Sequence, residues 1–281
     1  MPDIVIHVLA SAVYVGLAWH FWNTRWRKPA TGTATSTPPA TGGLQAWERF
    51  AILVPLGLHG FTLYAQIFEA SALRFGFAHA LSVMTFLALA LYWIESLFYR
   101  LDGMEPLVLP LAAVAVPLPA IFPGLASSAT YAQSGAFKLH LALAMIAYGL
   151  FVIALLHATL MAVAERQLHL KTGFAVANLP PLLTLEKLLF RVIGAAFLFL
   201  TLTLATGIAF SETLFGRAMR FDHKTVFAVL SWATFGLLLA GRLLYGWRGR
   251  TATRFTLGGF VLLILAYVGS RFVLEVVLQR G

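Results

Sequence analysis

The feature that most constrains this chain is a series of apolar stretches, each long enough to cross the hydrocarbon core of a bilayer. One crossing takes about 20 residues in a helix. The stretches lie near residues 4–23, 50–70, 76–99, 105–123, 136–164, 188–210, 223–245 and 255–277. They lack the alternation of membrane-barrel strands and are about twice as long. The sequence therefore predicts an all-α, polytopic transmembrane helical bundle of about eight spans.

The composition excludes several other classes of protein. Charged residues make up 11% of the 281 residues, against roughly a quarter in soluble domains. Eight spans and their loops use nearly the whole chain, so we expect no separate soluble domain. The chain has no cysteine, which excludes disulfides, thiolate catalysis, iron–sulfur ligation and a Cys-x-x-Cys-His haem attachment site.

The basic residues predict the orientation in the membrane. Asp3 is the only charge before the first stretch, and Arg25, Arg27 and Lys28 follow it. This order is typical of a retained first span whose N-terminus is outside. Most of the 20 Lys and Arg residues then fall on the cytoplasmic side. We predict a multi-pass protein of the bacterial inner membrane with both termini on the external (periplasmic) side. The net charge of +9 therefore reflects topology, and no nucleic-acid partner is expected.

Local composition divides the chain into two regions. Residues 1–130 would hold four spans and a Pro/Thr/Ala/Gly-rich, flexible cytoplasmic linker at 29–44, and residues 131–281 would hold four more spans. The segment 105–123 contains five prolines, which predicts a kinked or broken helix. Residues 180–192 begin with two prolines and continue as an amphipathic pattern. They form either an interfacial helix or an extension of the sixth span.

Histidines are the main candidates for function, because ionisable groups within a membrane are costly. His140 and His157 lie 17 residues apart on one span, or about 25 Å, so they cannot share a metal. The predicted topology places four histidines of four different spans in the external half: His7, His79, His140 and His223. Three others lie near the cytoplasmic side or the middle of the bilayer: His20, His157 and His59. Each could instead only hydrogen-bond a neighbouring helix.

Haem is the cofactor that suits such a layer of histidines. It takes one or two imidazoles from separate helices, an apolar slot and cations near its propionates. Arg217, Arg220 and Lys224 lie beside His223 and could supply those cations. The alternative is that residues 222–225 only cap a helix and that the two arginines are interfacial anchors.

The segment Phe137–Met161, which contains His140 and then Ala147-Tyr148, resembles the cytochrome c assembly membrane proteins, the CcsA/HemX/YpjD group. The resemblance continues through residues 182–212, 221–239 and 265–276, and so covers about residues 136–277. It implies a polytopic helical fold and haem ligation by His140 at the external face. It also makes Tyr148, as part of the shared motif, a cofactor-site candidate.

The chain departs from the haem-lyase members of that family at two points. Phe221–Thr225 stands where the lyases have a tryptophan-rich segment ending in Trp-Asp-Pro-Lys-Glu, and no histidine follows the last span. The sequence looks closest to the shorter YpjD/HemX-type branch that lacks the tryptophan-rich motif, and we do not expect an enzyme. His223 stands where the lyases have proline, so it is the predicted second axial ligand beside His140.

The sequence therefore predicts a membrane protein that binds haem b and acts in haem handling or cytochrome c maturation. Its expected partners are the lipid bilayer, haem, and other cytochrome c maturation or membrane proteins. Two alternatives stay open. The first is a small-solute transporter, which the broken segment 105–123, His59, Glu69 and Glu95 would favour. The second is a regulatory subunit of another membrane protein, in which the histidines only pack.

Overall fold

The structure is a computed structural model, and it describes residues 2–26, 43–68, 73–124, 126–127, 134–170, 180–215 and 222–279. These ranges exclude nearly all of the predicted linker. They also exclude Glu69, Arg217 and Arg220. The described chain is almost entirely helical. Its one strand pair joins Leu73–Arg74 to Ala126–Ser127 in antiparallel register. This confirms the predicted all-α membrane bundle.

Within the described ranges, nine helices define the fold. They are α1 (Pro2–Phe21, extended by a π-helical turn at Trp22–Trp26), α2 (Ala46–Phe68), α3 (Phe77–Phe98), α4 (Glu105–Ala115), α5 (Leu118–Ile121), α6 (Gly135–Leu170), α7 (Leu182–Phe215), α8 (His223–Tyr245) and α9 (Gly249–Ile264). The chain continues from α9 through a π-helical turn at Leu265–Gly269, one helical turn at Ser270–Phe272 and a second π-helical turn at Val273–Val277.

Seven of the described helices are long and apolar enough to cross a membrane: Ile4–Trp26, Ala46–Ile67, Phe77–Phe98, Gly135–Arg166, Leu182–Phe210, His223–Tyr245 and Gly249–Val277. An eighth, shorter apolar segment is Glu105–Ile121, which comprises α4 and α5. At 1.5 Å per residue it is about 25 Å long, close to the roughly 30 Å of a hydrocarbon core.

The break between α4 and α5 is the predicted proline break, and α1 compensates for it. Pro117 has no N–H to donate to the carbonyl of Ala113, four residues earlier. The hydroxyl of Ser11 donates to that carbonyl instead, at 2.7 Å. The next unpaired acceptor, the carbonyl of Val116, receives a hydrogen bond from Nδ1 of His7 at 2.8 Å. Two polar residues of α1 therefore make the broken span compatible with an apolar environment.

Contacts at one end of the bundle bring together the starts of α1, α3, α6 and α8, and we call it the histidine end. Gln66, near the end of α2, donates to His7 of α1. The ring of Phe122, just after α5, packs on Phe77 at the start of α3. The amide of Phe77 also donates to Glu275, near the end of the chain. The N-terminal helix therefore begins, and the last helix ends, at the same end of the bundle.

The opposite end, which we call the arginine end, is closed by a buried ionic cluster. Arg25 pairs with Asp102 at 2.7 Å and with Glu48 at 2.9 Å. The same guanidinium donates to the carbonyl of Gly43, and His20 lies 3.2 Å from Glu48. These contacts join the end of α1, the start of α2 and the loop before α4. They confirm that Glu105–Ile121 runs from one end of the bundle to the other.

Helix α6 lies at the centre of the bundle and packs against α3, α7 and α9. Small residues allow these close contacts. A Cβ atom at Gly149 would lie 2.7 Å from Leu87 of α3. The core cluster includes residues of α3 from the first predicted region and residues of α6 from the second. The division into 1–130 and 131–281 stays a prediction.

The structure decides the question about residues 180–192. Helix α7 is continuous from Leu182 to Phe215, and Leu185, Leu188 and Leu189 are buried against the bundle. Glu186 pairs with Arg242 of α8 at 2.8 Å. The segment is therefore an extension of the sixth predicted span into the bundle and not a separate interfacial helix.

Candidate haem site

His140 lies near the start of α6 at the histidine end, and its orientation is fixed by α7. Its Nδ1 lies 2.9 Å from the hydroxyl oxygen of Thr206. That hydroxyl already donates to the carbonyls of Leu202 and Thr203, so it accepts from His140. The hydrogen of the neutral imidazole is therefore on Nδ1, and Nε2 carries the lone pair. Within the described ranges, no protein atom hydrogen-bonds this Nε2.

Two further residues of α7 shape the surroundings of His140. Its ring lies over Gly207, where a Cβ atom would be 3.3 Å from Cε1. The ring of Phe210 meets it edge-on, with centroids 6.3 Å apart. Glycine therefore allows the imidazole to lie against the helix, and the aromatic ring restricts its rotation. The contact of Gly207 with His140 requires the tertiary structure, because the two residues lie on different helices.

His223 lies at the same end of the bundle, in the first turn of α8, and it is exposed. The residue before it caps the helix, because a carboxylate oxygen of Asp222 accepts from the Thr225 amide at 3.0 Å and from its hydroxyl at 3.1 Å. Partial burial raises the pKa of Asp222. The hydrogen bonds from Thr225 and the charge of Lys224 outweigh this, so the pKa lies below its usual value. Asp222 is therefore the N-cap of α8, and the ring of His223 is left exposed.

Cationic side chains of α8 and of the last helix lie close together at the histidine end. Lys224 is half-buried and interacts electrostatically with Arg271. Arg271 lies 3.8 Å from Glu275, whose carboxylate faces the start of α3 beside Gly76. A negative charge there also interacts favourably with the helix dipole. Arg271 is a second cation at this end that the sequence-based site did not include.

His7 and His79 are both buried at the histidine end. His7 donates from Nδ1 to Val116 and accepts at Nε2 from Gln66, each at 2.8 Å. Iron binding by His7 would therefore require one of these hydrogen bonds to break. His79 is in the first turn of α3, with its ring 6.2 Å from that of Phe75.

Tyr148 is buried and lies about 12 Å along α6 from His140. Its hydroxyl donates to the carbonyl of Leu263 at 2.7 Å, just before the π-helical turn that follows α9. The structure therefore gives Tyr148 a role in joining α6 to α9. It does not bring Tyr148 to the imidazole of His140.

The remaining transmembrane histidines have other surroundings. His59 is fully buried and lies 2.8 Å from the hydroxyl of Ser82. His157 donates from Nδ1 to the carbonyl of Ile153, and its Nε2 lies 3.4 Å from Glu95. These contacts join α2 to α3 and α6 to α3. Within the described part of the chain, no three His, Asp or Glu side chains are grouped to hold a metal ion.

The arrangement at His140 suits haem better than a bare metal ion. Metal-bound histidines usually donate their other ring hydrogen to a protein acceptor, which fixes the tautomer. Thr206 provides that acceptor, and Nε2 of His140 is left for iron. An available imidazole with cations at the same end of the bundle provides two of the features that haem needs, and haem supplies most of its own coordination. The described residues around His140 are therefore compatible with bound haem.

The fold and this site define a multi-pass helical membrane protein with a polarised end that carries an oriented imidazole. A family model described as "Cytochrome C assembly protein" matches residues 47–278. The chain belongs to this family. Its membership supports a role in cytochrome c maturation, a process that in general involves haem.

Individual relatives agree with this assignment. The inner membrane protein YpjD of Escherichia coli (strain K12) is 29% identical over 236 residues, which are 82% of this chain and 89% of that protein. The cytochrome c biogenesis protein CcsA of Guillardia theta is 28% identical over 156 residues, covering 50% and 52%. An uncharacterized 28.8 kDa protein of Azospirillum brasilense is 36% identical over 141 residues, covering 50% and 52%. No solved structure matches. The seven apolar helices and the likeness to YpjD identify a multi-pass inner membrane protein.

Proposed function

We propose that this protein binds haem b at the histidine end and acts in haem handling during cytochrome c maturation. The observation that carries the proposal is the oriented imidazole of His140, whose Nδ1 hydrogen is held by Thr206 while Nε2 is left for iron. Bound haem supplies the iron that accepts this nitrogen. The protein contributes ligation, orientation and charge compensation, and we propose no bond-forming chemistry for it.

The other residues of the proposed site act on orientation and charge. Thr206 is a positioning residue, because it holds the His140 ring without touching iron. Lys224 and Arg271 lie at the same end of the bundle and would pair with propionates. Arg217 and Arg220, which precede Lys224 in the sequence and lie outside the described residues, would add to this charge. Protein purified with bound haem b would favour this proposal over a transporter or a regulatory subunit.

The proposal is tested by titrating the purified protein with haemin and following the Soret band. His140→Ala should weaken haem binding at least tenfold or change the band, and added imidazole should restore the wild-type spectrum. Thr206→Val should weaken binding about tenfold, the lower end of the effect of second-shell changes. His20→Ala, at the opposite end, serves as the control and should behave as wild type. A His140→Ala variant with wild-type affinity and spectrum would refute the site.

A separate variant tests the second axial ligand. If His223 binds the sixth position, haem in the wild-type protein is six-coordinate and low-spin. His223→Ala should then convert it to a five-coordinate, high-spin form, which is visible in resonance Raman spectra. An unchanged spin state in this variant would remove His223 from the site and leave the assignment of His140 intact.

A further inference from the structure

An apolar groove of about 450 Å³ lies on the other side of α6 from the candidate haem site. This volume is within the roughly 300–1,000 Å³ that is typical of ligand sites. Helix α3 packs against both α2 and α6, and residues of all three helices line the groove. The α2 and α3 residues are Gly60, Leu63, Tyr64, Ile67, Val83, Phe86 and Leu87, and Phe75 precedes α3.

The groove is distinct from the candidate haem site. The α6 residues that line it, which include Lys138, Leu141, Ala142 and Met145, follow helical spacing along one face. His140 is two residues from Lys138, or about 200° around the helix. Its ring faces α7, where it lies over Gly207. A ligand in the groove would therefore not contact the imidazole of His140.

The groove is polar at one end and apolar at the other. Its upper part, at the histidine end, carries Lys138, which is exposed and is the one charged residue among those that line it. Its lower part, near the middle of the bundle, is formed by Gly60 and Phe86. The ring of Phe86 lies against His59, with centroids 5.4 Å apart, so it separates this buried imidazole from the groove.

The groove opens on the outer surface of the bundle, between segments that are long and apolar enough to cross a membrane. Ala142 on one wall is exposed, and Tyr64 on the other is 56% exposed. Both residues belong to spans, so their surroundings are acyl chains. A ligand can therefore enter sideways from the bilayer without passing through water.

We propose that this groove binds one anionic phospholipid, with an acyl chain along its apolar walls and the phosphate at Lys138. A lysine near the membrane surface favours an anionic lipid by about 1 kcal/mol, or about fivefold in affinity. A zwitterionic phospholipid has the same chains but loses most of this preference. A ligand with a polar group at its inner end would find apolar walls and the ring of Phe86 there, and it would lose its hydration without compensation.

Native mass spectrometry of the purified protein, titrated with phosphatidylglycerol or phosphatidylethanolamine, tests this proposal. The wild type should bind one phosphatidylglycerol about fivefold more tightly than phosphatidylethanolamine. Lys138→Gln should abolish this preference, whereas Lys138→Arg should keep it. Lys187→Gln, which removes a cation at the arginine end, is the matched control and should leave it unchanged.

Filling the groove provides an independent test. Ala142→Phe should lower the binding of both lipids at this site, whereas Ala195→Phe on the exposed face of α7 should not. Equal affinity of the wild type for the two lipids, or a preference that survives Lys138→Gln, would identify the bound lipid as adventitious and overturn the proposal. If Ala142→Phe does not fold, the lysine variants decide. Haem binding by His140 is unaffected by either outcome.

Discussion

Arg25 should be among the residues most important for stability, because its guanidinium lies between two buried carboxylates. Its guanidinium lies 2.7 Å from Asp102 and 2.9 Å from Glu48, and all three side chains are at most 16% exposed. Removal of one partner from a buried ion pair costs about 3–5 kcal/mol, because the remaining charge is left without compensation. Arg25→Met keeps most of the apolar part of the side chain and removes the charge.

The expected loss can be converted into a melting temperature. For a chain of this size, 1 kcal/mol corresponds to about 2–4 °C, so Arg25→Met should melt about 6–20 °C below the wild type. The measurement is thermal unfolding in detergent, followed by intrinsic fluorescence and by the fraction that remains monodisperse after heating. Replacing the carboxylates as well, with Asp102→Asn and Glu48→Gln, should recover much of the loss.

An exposed ion pair at the same end of the bundle provides the control. Arg250 lies 3.8 Å from Glu165, and its side chain is 71% exposed. Such pairs contribute at most about 1 kcal/mol, so Arg250→Met should melt within about 4 °C of the wild type. The reasoning would be refuted if Arg25→Met lost no more stability than Arg250→Met. It would also be refuted if the triple variant were less stable than the single one.

Three further predictions follow from other contacts. Glu95→Gln should stabilise the protein by about 1 kcal/mol in the same thermal assay, because Nε2 of His157 has no hydrogen-bond donor in the described structure and the new amide can donate to it, whereas Glu95→Leu should give no such gain. Gly259→Val should lower the melting temperature more than a surface substitution, because even a Cβ atom there would lie 2.8 Å from a ring of α8. The chain has no cysteine, so a membrane-impermeant maleimide applied to intact cells should label Gln279→Cys and not Gln45→Cys. The reverse labelling would contradict the predicted orientation.

The sequence predicted the bundle well, because the length of apolar stretches is set directly by the bilayer. Seven long spans and the proline-broken segment 105–123 are all present. The helix ends were predicted less accurately. Helix α6 extends over 36 residues, from Gly135 to Leu170, beyond the predicted 136–164. The apolar pattern shows where a helix leaves the membrane. It does not show how far the helix continues beyond it.

The contacts of the candidate site residues could not be predicted from the sequence, because residue type indicates chemistry but not partners. The four histidines lie at one end of the bundle, as the predicted topology implies. The sequence could not show that His7 donates to the carbonyl of Val116 at the break between α4 and α5, or that Tyr148 joins α6 to α9. Nor could it identify Thr206 as the acceptor for His140, since the two lie 66 residues apart and on different helices.

The central claim is that this family member binds haem through His140, and the visible spectrum of the purified protein tests it most directly. Protein isolated from membranes, or reconstituted with haemin, should show a Soret band, and its pyridine haemochrome should have the spectrum of haem b. The band should weaken or shift in His140→Ala and recover with imidazole. A protein that is folded and monodisperse, but shows no Soret band even after reconstitution, would contradict the account.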